Sequence, residues 1–263
     1  MAGGEKMGRI IAFIFGLGSY GLFFLAFLYL VGFLAGHYVP KGIDDGAPTA
    51  TGLALLVNLG LVALFGLQHS IMARPAFKRR ITELISPSVE RSTFVLATSL
   101  VLVLLFWQWR PMGEVIWHVG SGWGAALLWA LFAAGFLIVL ASTFIIDHFD
   151  LFGLRQVTLN LMGRAYAHPP FRVTWLYRFI RHPLYLGLVI AFFATPHMTA
   201  GHLVFAVAMT AYIFIGVRFE ERDLATFLGE DYRRYRERVP MLLPSVGRVH
   251  ETVRPPRAVA SRH

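Results

Sequence analysis

The stretch Trp123–Ile146, WGAALLWALFAAGFLIVLASTFII, carries neither a charged residue nor a proline. An α-helix rises ~1.5 Å per residue, so this stretch is long enough to cross the ~30 Å hydrocarbon layer of a bilayer. Outward from it, Ile10–Leu34, Leu53–Ile71 and Thr93–Trp109 are apolar blocks of the same kind. A fifth block, Leu184–Val217, has the length of two passes and is broken at Thr195-Pro196-His197. The chain is 56% hydrophobic and 15% charged, with a mean hydropathy of +0.60. A soluble domain of this size has no use for so much apolar surface. The fold class is therefore all-α, a polytopic helical membrane protein with five to six transmembrane helices. Ile10–Leu34 is too long to be a removed signal peptide and lacks the small-residue cleavage site.

Charge gives the orientation. Of the 24 Lys and Arg, only Lys41 and Arg110 fall in loops on the side opposite the N-terminus. The others fall in the N-terminus, the 73–92 loop, the 147–183 loop and the C-terminal region. This is a positive-inside pattern for six crossings that places both termini in the cytoplasm; the membrane expected is a bacterial inner membrane. The net charge of +9 needs no nucleic acid, because anionic lipid headgroups account for it. Cysteine is absent, which excludes disulfides, thiolate metal sites and a cysteine nucleophile.

Residues 1–240 read as a single membrane-embedded domain and 241–263 as a basic flexible tail. The 147–183 loop, carrying Asp147, His148, Asp150, Arg155, Gln156 and His168-Pro169-Pro170, is longer than ordinary connections, and such loops tend to be functional. After the last crossing, Leu224, Phe227, Leu228, Tyr232, Tyr235 and Val239 recur at three- and four-residue steps. Asp231, Arg233, Arg234, Arg236 and Glu237 fill the other side of this amphipathic cytoplasmic helix. Glu220 and Glu221 open it, on or beside its apolar face, where a carboxylate meets either lipid or a bound partner. The first is costly.

The matching half of a site is Arg181-His182-Pro183-Leu184-Tyr185-Leu186-Gly187. Pro183 suits the first turn of a helix, and His182 before it is pushed out of helical geometry. The amides of Leu184 and Tyr185 then lie free at the positive end of the helix, ready for a carboxylate, and Arg181 can add a bidentate pair. Glu220 or Glu221 can hold an ammonium, while Tyr185, Tyr177 or Trp175 offers a flat face to a base ring. Taken alone, an Arg-His-Pro at a membrane edge is usually only a helix start. Two halves on one face of the membrane suit a zwitterionic guest.

Arg181-His182-Pro183-x-Tyr185-x-Gly187, Glu220-Glu221, Phe227-x-Gly229-x-x-Tyr232-x-x-Tyr235 and Val239-Pro240 resemble the cofactor signature of isoprenylcysteine carboxyl methyltransferases and phospholipid methyltransferases. The resemblance covers about the last third of the chain. It implies an S-adenosylmethionine site built from Tyr177, Arg181, His182, Pro183, Leu184, Tyr185, Gly187, Glu220 and Glu221. It also implies that Leu184–Val217 is a tight helical hairpin beside that cofactor.

The earlier segments Leu67–Lys78, Phe106–Pro111 and Asp147–Gln156 resemble methanethiol S-methyltransferases, which convert methanethiol to dimethyl sulfide, and their NnrU-like relatives. A simple thiol is largely protonated at neutral pH, given a reference pKa of ~8.5 for cysteine, so a base or a positive environment helps. His69, Asp147 and His148 are the candidate catalytic residues, at the cytoplasmic ends of their helices. The plainer alternatives are that His69 bonds a neighbouring helix and that Asp147 and His148 form a charged helix end pairing with Arg155 or Arg181. His69, His148, His168 and His182 are scattered singly, without zinc spacing, so no metal is expected. The resemblance thus implies methylation of a small thiol. The alternatives are a methyltransferase for a lipid amine or prenylated carboxylate, and a non-enzymatic NnrU-like membrane protein. Gly32-x-x-x-Gly36 permits close helix packing but leaves the oligomeric state open.

Overall fold

The computed structural model describes residues 2–120, 122–167 and 173–243. Its long helices are α1 (Ala2–Ala35), α2 (Thr51–Ala73), α4 (Pro87–Gln108), α5 (Trp123–Ile146) and α9 (Ala200–Leu228), with α3 (Pro75–Ile81) between α2 and α4. All five long helices are apolar and long enough to cross a membrane. Their outer faces expose Ile11, Ile14, Leu25, Leu56, Leu67, Leu137 and Phe144. Such a belt is stable only against lipid, so the protein is an integral membrane protein. Inside, Phe33, Leu105, Phe106, Trp109, Phe192 and Phe205 form the dense part of the core. Asn58 is buried among them, but its amide exchanges two hydrogen bonds with the backbone of Arg110, at 2.8 and 2.9 Å.

The broken block forms the expected hairpin, with unequal arms. Its first arm is α8 (Pro183–Phe193), only 11 residues, or ~16 Å. The rest of that path is extended chain, which covers ~3.3 Å per residue and so needs fewer residues. Pro196 cannot continue a helix, and non-helical backbone must find partners elsewhere. Strand β2 (His197–Thr199) supplies them by pairing antiparallel with β1 (Val115–His118). Val119 also donates to the Pro196 carbonyl at 2.7 Å, and the Trp117 indole to Thr195 at 2.9 Å. The two short strands are a small addition to an otherwise helical fold.

Helices α5 and α8 run antiparallel and touch backbone to backbone. A Cβ added at Gly135 would lie 2.6 Å from the carbonyl oxygen of Gly187, and one at Gly187 would lie 2.6 Å from that of Gly135. Any larger residue at either place would push the helices apart. Gly187 is thus the point where α8 leans on α5.

One end of the bundle carries Lys78, Arg79 and Arg80 on α3 and is called the basic end. The 147–183 segment is folded there as α6 (His148–Leu151), α7 (Leu154–Leu161) and a 3-10 turn, Trp175–Arg178. Val157 of α7 sits directly over Gly16 of α1, where a Cβ would come within 2.6 Å. His168-Pro169-Pro170 and the tail from 244 lie outside the described residues.

One boundary differs from expectation. Helix α9 runs unbroken to Leu228, so Glu220 and Glu221 lie within the last crossing helix and do not open a new one. The break falls at Gly229, with φ 62° and ψ −132°, a conformation that suits only glycine. The remaining amphipathic stretch is α10 (Glu230–Arg238). Its Tyr232 and Tyr235 are buried with Val239 against Val173, Leu224 and Leu228, so its apolar face meets protein.

Candidate functional site

The Arg-His-Pro turn is built by the backbone on both sides. His182 has φ −128° and ψ 63°, outside helical space as a residue before proline must be, and it caps α8. The amides of Arg181 and His182 donate to the carbonyls of Pro240 and Met241, at 2.9 and 3.1 Å. The chain beyond α10 thus lies along the turn like a short strand. Arg181 fastens the same segment with Nη1, which donates to the carbonyls of Arg236 and Val239.

The side chains then meet the acidic pair. Arg181 Nε donates to Glu221 Oε1 at 2.6 Å, and His182 Nε2 lies 3.0 Å from the same oxygen. The side chains of Arg181, His182 and Glu221 are 10%, 6% and 12% exposed, which makes this a buried, hydrogen-bonded ion pair. Glu220 differs. Tyr185 donates to its Oε2 at 2.8 Å, yet its side chain stays 42% exposed. Glu221 is committed to holding the turn, and Glu220 remains able to receive a cation.

Tyr177 approaches from the 3-10 turn. Its carbonyl accepts from the Tyr235 hydroxyl at 2.7 Å, which ties the turn to α10. Burial pushes its own hydroxyl well above the ordinary tyrosine range. The negative charge of Glu220 adds to this, and a hydrogen bond with Ser142 of α5 works the other way. Trp175 beside it is exposed and has φ 46°, a region non-glycine residues seldom occupy.

A buried aromatic cluster lies between α2, α4 and α9. Tyr212 lies eight residues before Glu220, hence on the same face of α9, and its hydroxyl is 3.4 Å from Ser70 Oγ. The ring of His69 stacks on Phe65 at 5.6 Å and tilts against Phe94 at 4.9 Å, with Tyr212 edge-on at 6.4 Å. Gly66 leaves room for that tyrosine, since a Cβ there would lie 2.9 Å from its ring. His69 Nδ1 is buried and has no hydrogen-bond partner among the described residues. Leaving such an atom unpaired costs about 1–3 kcal/mol, an unmet demand that a guest can satisfy. Tyr212 and Ser70 were not singled out in the sequence. The signals available were the eight-residue step to Glu220 and the neighbour of His69.

Asp147 and His148 belong to another network. Asp147 Oδ1 accepts from the amide of Asp150 at 3.1 Å, capping α6, and Oδ2 accepts from Arg155 at 2.8 Å. His148 is buried with both nitrogens engaged, Nε2 with the Tyr20 hydroxyl at 2.8 Å and Nδ1 with Thr143 Oγ1 at 2.9 Å. Its ring lies flat on Phe144 at 4.3 Å, and burial lowers its pKa while Asp147 acts to raise it. The structure therefore brings Arg181, His182, Tyr185, Glu220 and Glu221 into direct contact, with Pro183 and Leu184 forming the first turn of α8. It sets His69 in the aromatic cluster of Phe65, Phe94 and Tyr212 and uses Asp147 and His148 to join α1, α5 and α6. Among the described residues no three His, Asp or Glu side chains converge as a metal site.

A bundle of apolar helices with a dense polar centre near its basic end defines a polytopic integral membrane protein. The chain belongs to the NnrU protein family, whose model matches residues 57–249. It is 51% identical over 241 residues to methanethiol S-methyltransferase 1 of Bradyrhizobium diazoefficiens, covering 92% of this chain and 85% of that protein. The methanethiol S-methyltransferase of Mycobacterium tuberculosis is 51% identical over 238 residues, covering 90% and 98%. Nurim of Xenopus laevis is 35% identical over 177 residues, covering 64% and 62%. No solved structure matches the chain.

Proposed function

We propose that the chain transfers a methyl group from S-adenosylmethionine to methanethiol, giving dimethyl sulfide, at the cytoplasmic side of a bacterial inner membrane. Residues 1–240 would act as one membrane-embedded unit, with the basic end and both termini in the cytoplasm. The observation that carries the reading is the meeting of Arg181-His182-Pro183 with Glu220-Glu221 across α8 and α9. The names of relatives that are half identical along nine tenths of the chain supply the acceptor.

The residues present fit such a methyl donor. Glu220, half open to solvent, would hold its ammonium. The first-turn amides of Leu184 and Tyr185 have no carbonyl one turn earlier in α8, and they would hold its carboxylate. Arg181 already spends Nε and Nη1 inside the protein, so its main contribution is to keep Glu221 and His182 in place. Tyr177 and Trp175 would flank the base. Bound there, the donor supplies a methyl group on a positively charged sulfur that a thiolate can displace.

The acceptor would bind against the aromatic cluster of Phe65, Phe94 and Tyr212. His69 Nδ1, unpaired among the described residues, would accept the thiol proton. Removing a proton beside the reacting atoms is worth roughly 10²–10⁴-fold in rate. Asp147 and His148 would act indirectly, since Thr143 holds His148 and its neighbour Ser142 lies close enough to Tyr177 to influence its hydroxyl. The test is to supply the purified protein with S-adenosylmethionine and methanethiol and to look for dimethyl sulfide by gas chromatography. Calorimetry in detergent runs alongside. No heat of donor binding overturns the reading, whereas binding without dimethyl sulfide overturns the acceptor.

A further inference from the structure

The basic end holds a second cavity, of about 550 Å³, which none of the foregoing uses. Its walls come from α3, the link to α4, the first turn of α4, and α6 and α7. Lys78, Arg79, Arg91 and Arg164 line it, against two carboxylates, Glu90 and Asp150. Asp150 is occupied within the wall, accepting from the Tyr166 hydroxyl at 3.2 Å and from Gln156 Nε2 at 3.4 Å. Among the described residues none of the four cations is in an ion pair, although Arg74, Arg155 and Arg181 at the same end all are. Four like charges around one hollow repel each other. Burial and then Arg91 push the Lys78 ammonium below its usual range, while Glu90 and Asp223 oppose this. Arg91 also lies over the Phe94 ring at 5.7 Å, a contact that favours this position.

Two features select the guest. Helix α4 begins at Pro87, with Ser86 as its cap, and this helix is a membrane span. Its positive end therefore forms part of the cavity wall, at the end of a membrane-crossing helix. The link before it exposes Leu84, 83% accessible, an apolar side chain in the same link as the lining residues Thr82 and Ser86. Guanidinium groups at a lipid boundary recognise phosphate oxygens in forked pairs.

We propose that this cavity binds the phosphate group of an anionic ester, presented by a phospholipid headgroup from the surrounding leaflet. A soluble phosphate would present the same chemistry to the same side chains.

The experiment uses the full chain, delipidated in an uncharged detergent, with unfolding followed by tryptophan fluorescence and no methyl donor present. Short-chain phosphatidylglycerol and inorganic phosphate are titrated separately. A rise in Tm with phosphatidylglycerol that phosphate cannot match supports the lipid source. An equal rise with phosphate alone overturns the lipid source and keeps the anion site. Arg79→Gln, on an exposed side chain that folding does not need, weakens the response roughly tenfold. Arg80→Gln, next door but outside the lining, leaves it unchanged, and Arg91→Gln/Arg164→Gln abolishes it. No shift with either ligand overturns the proposal. So does an Arg79→Gln protein that responds like wild type, or an Arg80→Gln protein that loses as much as Arg79→Gln. Because no step involves methyl transfer, these results stand or fall apart from the enzyme reading.

Discussion

Two polar clusters share α9 and treat hydrogen bonding in opposite ways. Around Glu221 the network is closed: Arg181 reaches a carboxylate and two carbonyls, and His182 bonds the same carboxylate oxygen. Around His69 the surroundings are aromatic, and one ring nitrogen is left with nothing to bond among the described residues. A closed network holds a shape, and removing one member strands the rest. A lone polar atom in an apolar pocket adds nothing to the fold, so its value lies in what it meets later. Glu220 stands between the two, with one oxygen bonded to Tyr185 and its side chain still open.

The contrast can be broken by substitution. Glu221→Ala should be the most damaging change, because Arg181 would stay buried without its anion. A loss of about 3–5 kcal/mol is expected, read as a fall in Tm and a loss of donor binding together. If Tm holds, the network is not a structural clamp. His69→Phe fills the same space with an apolar ring, so folding and donor binding should survive while turnover falls by roughly 10²-fold. Full turnover from pH 6 to 9 would remove His69 from the chemistry. Glu220→Gln should weaken donor binding by about tenfold, the worth of one charge-assisted bond, and leave Tm nearly unchanged. Calorimetry separates that from a loss in turnover.

The smallest effect concerns pH. His148 is neutral when folded because burial lowers its pKa, so the unfolded chain binds the proton more readily. Stability is therefore complete above the ordinary histidine pKa of ~6.5 and declines as pH falls through the lowered value. His148→Asn should flatten that acid limb in thermal unfolding. An unchanged limb would assign it to other groups.

How much of this the sequence could show depends on the range of the interaction. The crossing helices were legible because twenty apolar residues in a row admit few other readings, and the Arg-His-Pro turn was legible because proline restricts its own neighbours. The end of α9 was misplaced because charge density rises at Arg218, whereas the backbone breaks at Gly229, where a left-handed residue is needed. The break in the hairpin was readable at Pro196, but the shortness of its first arm was not, and the pairing of residues 197–199 with 115–118 depends on chain nearly 80 positions away. Tyr212 and Ser70 escaped notice for the same reason. Their contact joins two helices, and no local pattern records it. For Asp147, the pairing with Arg155 was readable as a plain helix-end contact, and that is the bond observed.

The glycine contact between α5 and α8 has a consequence for depth. Gly135 lies eleven residues, ~16 Å, from the basic end of α5, and Gly187 only four residues, ~6 Å, from the start of α8. With the two glycines locked together, the first turn of α8 starts ~10 Å below the end of its neighbour. The polar centre is thus recessed below the basic end of α5, a helix whose outer face carries apolar side chains such as Leu137 and Phe144. An oily, volatile solute gathers at that level by partition alone, so a recessed centre meets it at a higher concentration than the water outside offers.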